Sequence, residues 1–144
     1  MSPPPSLGAA YYSSKQGRLV LRTCAELYST ELAYAHDLHL ALRLFRTPLE
    51  PTLTADERLA LFSNLLELGN LSTELLAELQ KRGDPLEVLS RAFAKVAPFF
   101  MIYTTYCANY DEALQELSHL LSPSPSLALA LTLTLTSHLS PLTS

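Results

Sequence analysis

The sequence predicts an all-α fold, an elongated helical bundle, on three grounds. Apolar residues recur at steps of three and four through most of the chain, which is the period of one helix face and not of a strand. Helix-starting signatures stand at Thr54 and Asp84. Glycine is scarce, four in 144 residues, while most of the ten prolines gather at Pro3 to Pro5, at Pro48 and Pro51, and at Pro123 and Pro125. They divide the chain into a disordered flank (1–16), a helical domain (17–121) and a Ser/Pro/Leu/Thr-rich tail of low complexity (122–144).

The first helix is expected over Gly17 to Phe45, where no proline intervenes. Its apolar stripe is Val20, Cys24, Leu27, Tyr34, Leu38, Ala41 and Phe45, and Glu31 falls on the same stripe. A carboxylate there is costly without a donor, so Glu31 is expected to be hydrogen-bonded. Glu26, Thr30, Ala33 and Asp37 repeat at i, i+4, i+7 and i+11 on a different face, one free to meet a partner. Pro48 and Pro51 should break this helix, because each lacks an amide donor and disfavours helical geometry in the residue before it.

A second helix is expected from the capping box Thr54-Ala55-Asp56-Glu57 to Gly83, with Leu59, Phe62, Leu65, Leu66, Leu76 and Leu79 on its apolar face and an interruption at Gly69. Asp84-Pro85 opens a short third helix, with aspartate as cap and proline at the tolerated first position. A fourth, rich in aromatics, is expected from Pro98 to Leu121 through Phe99, Ile102, Tyr103, Tyr106, Tyr110, Leu114 and Leu117. Beyond it Leu127 to Thr136 alternates leucine with a small residue and carries no charge. That stretch is expected as a loosely packed or disordered tail, the alternative being an added helix or strand, and its composition is prone to aggregation if exposed.

Composition narrows the function. A net charge of −4 with scattered Lys and Arg argues against a nucleic-acid footprint. No apolar run reaches membrane length and the N-terminus lacks a signal-peptide pattern, so no membrane insertion and a cytoplasmic location are expected. Cys24 and Cys107 lack disulfide or metal spacing and are expected as free thiols packed as small hydrophobes. His36 and His39 lie three apart without an evident third ligand, so no metal and no cofactor are expected. No phosphate loop, nucleophile elbow or H-E-x-x-H motif occurs, leaving hydrolase and transferase chemistry without support.

Three segments in order carry a likeness. Glu26 to Leu38 reads E-L-x-x-T-E-x-x-Y-x-x-D-L; Leu53 to Glu57 is followed by Leu61-Phe62-Ser63-Asn64-Leu65-Leu66-Glu67-Leu68; and Pro85 to Leu89 leads through Phe99, Tyr103, Tyr106-Cys107 and Asn109. Together they resemble the N-terminal half of the Dbl-homology domain of Rho guanine nucleotide exchange factors, over about residues 18 to 121. The resemblance implies a Rho-family small GTPase as partner and GDP release promoted by engaging its switch regions, with no bond made. Glu26 matches the glutamate that contacts switch I in that family, and Thr30 lies one turn further on. Glu31, Tyr34, Tyr106 and Asn109 match positions that hold the bundle together.

The family's third conserved region, a long helix supplying basic and amide residues to switch II, finds no match after Leu121. About half of the family's domain is then expected to be missing, as a truncated or mis-spliced reading frame would leave it. Apolar faces of the first and fourth helices are expected to lie open unless the tail covers them or the chain dimerises. The function expected is therefore an exchange-factor-like protein for a Rho-family GTPase, with a non-catalytic helical interaction module or an inactive truncated product as the alternatives.

Overall fold

The computed structural model describes residues 8–122, and among them no strand occurs. The expectations for residues 1–7 and for the Leu/Thr stretch fall outside that range. In chain order the elements are α1 (Ala9–Ser13), α2 (Lys15–Ala41), a π-helical turn (Leu42–Arg46) leading into α3 (Thr47–Leu49), α4 (Ala55–Phe62), α5 (Leu65–Leu79), α6 (Pro85–Val96), a 3₁₀ turn (Ala97–Phe99), α7 (Met101–Ala108) and α8 (Tyr110–Leu121). They form two compact units. The first takes the described residues up to Asp37 together with Leu68–Met101, and the second takes Leu38–Glu67 with the described residues from Ile102 on.

The first unit buries Leu68, Leu71, Leu75 and Leu76 of α5, Val88, Ala92 and Val96 of α6, and Ala35 of α2. The fourfold spacing of Val88, Ala92 and Val96 puts one face of α6 inward. Asp84 starts α6 as expected: its Oδ1 accepts from the amides of Leu86 and Glu87 at 3.0 and 3.4 Å, and Pro85 occupies the first turn. The same carboxylate accepts the Tyr12 hydroxyl at 2.8 Å. Burial, reinforced by that bond to Asp84, pushes the Tyr12 phenol up to about 12. Ala9–Ser13, inside the stretch expected as flank, is thus helical and tied to α6. Gly17 admits the turn behind it, since a Cβ there would run into the carbonyl oxygen of Tyr11.

Glu78 is the buried charge of this unit, only 3% exposed. Lys81 Nζ lies 2.6 Å from its Oε2 and Lys95 Nζ 2.7 Å from its Oε1, and Lys95 also bonds Glu74. The hydrogen bonds to Lys81 and Lys95 outweigh desolvation and hold the Glu78 carboxyl down at about 2. Hydrogen bonds to Glu74 and Glu78 raise the Lys95 ammonium above its ordinary value. Two lysines on one carboxylate make a buried charge tolerable where one removed partner would leave it costly.

In the second unit α4 packs on α8, and Leu38, Leu49, Leu53 and Leu65 are buried. Three sequence expectations change here. Pro48 does not break the first helix, because the wider π turn at Leu42–Arg46 precedes it and α3 carries the proline in its first turn. The loosened ladder relieves the clash a proline ring makes with the carbonyl four residues back. The second helix breaks at Ser63, not at Gly69, which lies inside the continuous α5. Ser63 adopts φ 41° and ψ −127°, and on either side of it Leu59 is 65% and Leu66 42% exposed although both were expected on the apolar face. The fourth helix likewise divides, at Asn109, into α7 and α8.

The two breaks are latched together. Asn109 Nδ2 donates to Ser63 Oγ at 2.8 Å, Ser63 Oγ reaches Asn64 Oδ1 at 3.4 Å, and Asn64 Nδ2 donates to the Ile102 carbonyl at 2.8 Å. Asn109 sits at the cap position of α8 without capping it, and its Nδ2 serves Ser63. Strained backbone persists where neighbours over-determine it, and this amide chain does so at Ser63.

Two measurements follow from these bonds. A carboxyl depressed by folding stabilises the fold above its unfolded value and gives that stability up as pH falls through the folded value. The thermal midpoint should therefore drop between the ordinary carboxyl value of 4.5 and about 2, and Glu78→Gln should flatten that part of the profile. Asn109→Ala should cost about 1 kcal/mol in urea unfolding, the loss of one part-buried hydrogen bond.

Candidate functional site

The site begins with α2, whose 27 residues contain no proline and a single glycine, at its N-terminal end. What decides which face it shows is the bonding behind it. Ser72, 1% exposed on α5, donates its hydroxyl to Glu31, and Gln80 Nε2 donates to the Tyr28 hydroxyl at 2.8 Å. Both bonds lie within the first unit and together limit the roll of α2 about its axis. Glu31 and Tyr34 are half-buried. The donor that Glu31 needs comes from Ser72, which stands among Leu68, Leu71, Leu75 and Leu76. A lone hydroxyl inside that leucine face was the available signal for it, unused in reading the sequence.

With α2 so held, Glu26, Thr30, Ala33 and Asp37 are all exposed. Steps of four, three and four keep them on one helix face. The Ser29 and Thr30 hydroxyls donate back to the Glu26 carbonyl at 2.9 and 2.8 Å, so neither hydroxyl proton points to solvent. Asp37 Oδ1 lies 3.5 Å from His36 Nδ1, with the two side chains 78% and 71% exposed. The face thus presents two carboxylates about 16 Å apart, at 1.5 Å of rise per residue, with a threonine methyl and an alanine between them. It can accept hydrogen bonds and attract a basic patch, and it offers no nucleophile or acid–base pair. Among the described residues no group of three His, Cys, Asp or Glu could hold a metal.

Tyr106 and Asn109, both half-buried, belong to the second unit. There an apolar cleft of about 450 Å³ opens between Phe45, Leu49, Phe62, Leu114, Leu117 and Leu121, among others. Tyr110, Leu114, Leu117 and Leu121, expected as packing, are each at least 40% exposed. Cys24 is half-buried and Cys107 exposed, both as free thiols; burial, and then the Asp84 charge, pushes the Cys24 thiol up. Cys107 therefore does not pack as a small hydrophobe. No helix among the described residues is long and apolar enough to cross a membrane.

The described residues are helical, with Glu26, Thr30, Ala33 and Asp37 exposed together on α2. The family model of the RhoGEF domain matches residues 23–139, and the chain belongs to that family. The match runs past Leu121, where the motif-by-motif likeness read from the sequence stops. Among curated relatives, the myosin-M heavy chain of Dictyostelium discoideum is 33% identical over 108 residues, covering 72% of this chain and 6% of the relative. The Rac guanine nucleotide exchange factor JJ of the same organism is 33% identical over 99 residues, 64% of this chain and 8% of the relative. The FYVE, RhoGEF and PH domain-containing protein 3 of Mus musculus is 35% identical over 101 residues, 66% of this chain and 14% of the relative. The chain thus spans a small part of each relative's length. No solved structure matches it significantly.

The support of α2 can be separated from its exposed face by stability. Ser72→Ala should cost about 1–2 kcal/mol in urea unfolding, because it strips a half-buried carboxylate of its donor. Glu26→Ala, on the open face, should stay within about 0.5 kcal/mol of the parent.

Proposed function

We propose that this chain binds a Rho-family small GTPase through the α2 face of Glu26, Thr30, Ala33 and Asp37 and promotes release of its GDP. The observation that carries the reading is the joint exposure of those four residues in a chain of the RhoGEF family, one of whose relatives is named as a Rac exchange factor. The mechanism is differential binding. A ligand shifts a two-state equilibrium only by its difference in affinity for the two states. Carboxylates that bind the switch segments in the nucleotide-free arrangement lower the free energy of that arrangement relative to the GDP-bound one. Glu26 supplies the leading acceptor and Asp37 a second one three turns on, with Thr30 and Ala33 offering a low surface between them.

The test is release of fluorescent GDP from a panel of Rho-family GTPases with and without the purified chain. Acceleration of at least one is expected, and Glu26→Ala should reduce it by about tenfold or more, the rate equivalent of a lost charge-assisted hydrogen bond. A stable complex without acceleration would place the chain among non-catalytic GTPase-binding modules. An unchanged rate in folded Glu26→Ala protein would remove Glu26 from the contact.

A further inference from the structure

The exposed face that bears Glu26 continues toward the start of α2 as Arg22, Leu19, Arg18 and Lys15, again at steps of three and four. All four of these side chains are exposed, Leu19 by 63%. The charge along this face changes sign once. Lys15, Arg18 and Arg22 are the only charged side chains among the first 25 residues, whereas all fourteen Asp and Glu residues lie from Glu26 onward, against seven further Lys and Arg. No carboxylate among the described residues pairs with Lys15, Arg18 or Arg22. Arg18 spends one N–H on the Ser13 carbonyl, a neutral acceptor that leaves its charge uncompensated. Clustered, unpaired cations in an otherwise acidic protein make a local positive field that an opposite charge on a partner can use.

We infer that Lys15, Arg18, Leu19 and Arg22 form a second contact for the same GTPase, an electrostatic ridge that takes an acidic patch on the partner beside the segment bound by Glu26. The inference rests on the proposed function. At 1.5 Å per residue the ridge begins about 6 Å from Glu26 and ends about 16 Å from it, so the acidic patch must lie within that reach of the Glu26 contact. Leu19, standing among the three cations, gives the contact an apolar centre from which water is excluded. An anionic bilayer fits the same face poorly: a helix lying flat on it through Lys15, Arg18 and Arg22 would press Glu26 and Asp37 toward phosphates of their own sign. A partner whose charge also changes sign along the contact meets both halves.

Contacts of this kind act mainly on the association rate and on its salt dependence. The test is stopped-flow association of the whole chain with nucleotide-depleted members of the same GTPase panel, at several NaCl concentrations. The double variant Lys15→Glu/Arg22→Glu spares the Arg18 bond, and circular dichroism and the thermal midpoint check its fold. The expected result is association slowed about tenfold or more at low salt, converging with the parent at high salt, with GDP release at saturating chain changed less than about twofold. An association rate and salt slope equal to the parent's, while Glu26→Ala still weakens binding, would overturn the ridge and leave the proposed function standing. Parent protein bound to phosphatidylserine vesicles, released by the double variant whose GTPase association is unaltered, would overturn it in favour of a membrane surface. Failure of the parent to bind any member of the panel would overturn the ridge and the proposed function together.

Discussion

The bond between the Ser72 hydroxyl and the Glu31 carboxylate is the constraint from which the arrangement of the first unit is best understood. A carboxylate on the packing stripe of a long helix cannot point into hydrocarbon without a donor. Once Ser72 supplies one, the roll of α2 is set, with the Gln80–Tyr28 bond closing the other end of the same contact. Glu26, Thr30, Ala33 and Asp37, on another face, are then exposed. The exposure of Glu26 and Asp37, and of the basic residues before them, is in that sense a consequence of where Glu31 must go.

The charges elsewhere obey the same economy. Glu78 is buried but shared by two lysines, and Asp84 serves both as a helix cap and as the acceptor for Tyr12. Ser63, Asn64 and Asn109 use their side chains on one another and on the Ile102 carbonyl. Among the described residues no buried side-chain polar atom lacks a partner. Polar groups that fail to reach the surface are joined to one another, while on α2 the exposed Ser29 and Thr30 hydroxyls bond the backbone and Asp37 lies beside His36.

Much of this was legible in the residues. The caps at Thr54 and Asp84 rest on local hydrogen bonding that needs no tertiary context, and both form. The stripe from Val20 to Leu38 is a matter of period alone, as is the separate face of Glu26, Thr30, Ala33 and Asp37. What periodicity could not reveal were the changes of phase. Ser63 is neither glycine nor proline, so nothing local marks it as a break; the bond that meets its hydroxyl comes from Asn109, 46 residues away. Pro48 misleads in the opposite direction, since a π turn just upstream absorbs the disturbance that a proline normally causes. The basic start of α2 could have been read from charge order, but whether those cations were paired is a question only the fold answers.

The central claim is that the face of α2 opposite Glu31 is where a Rho-family GTPase docks. Carboxyl footprinting tests it directly, by labelling exposed Asp and Glu side chains in the free chain and in its complex with nucleotide-depleted GTPase. Loss of labelling at Glu26 and Asp37, with Asp111 and Glu112 on α8 still labelled, is the result this account predicts. Protection of Asp111 and Glu112 while Glu26 and Asp37 remain reactive would contradict it and move the interface to the second unit.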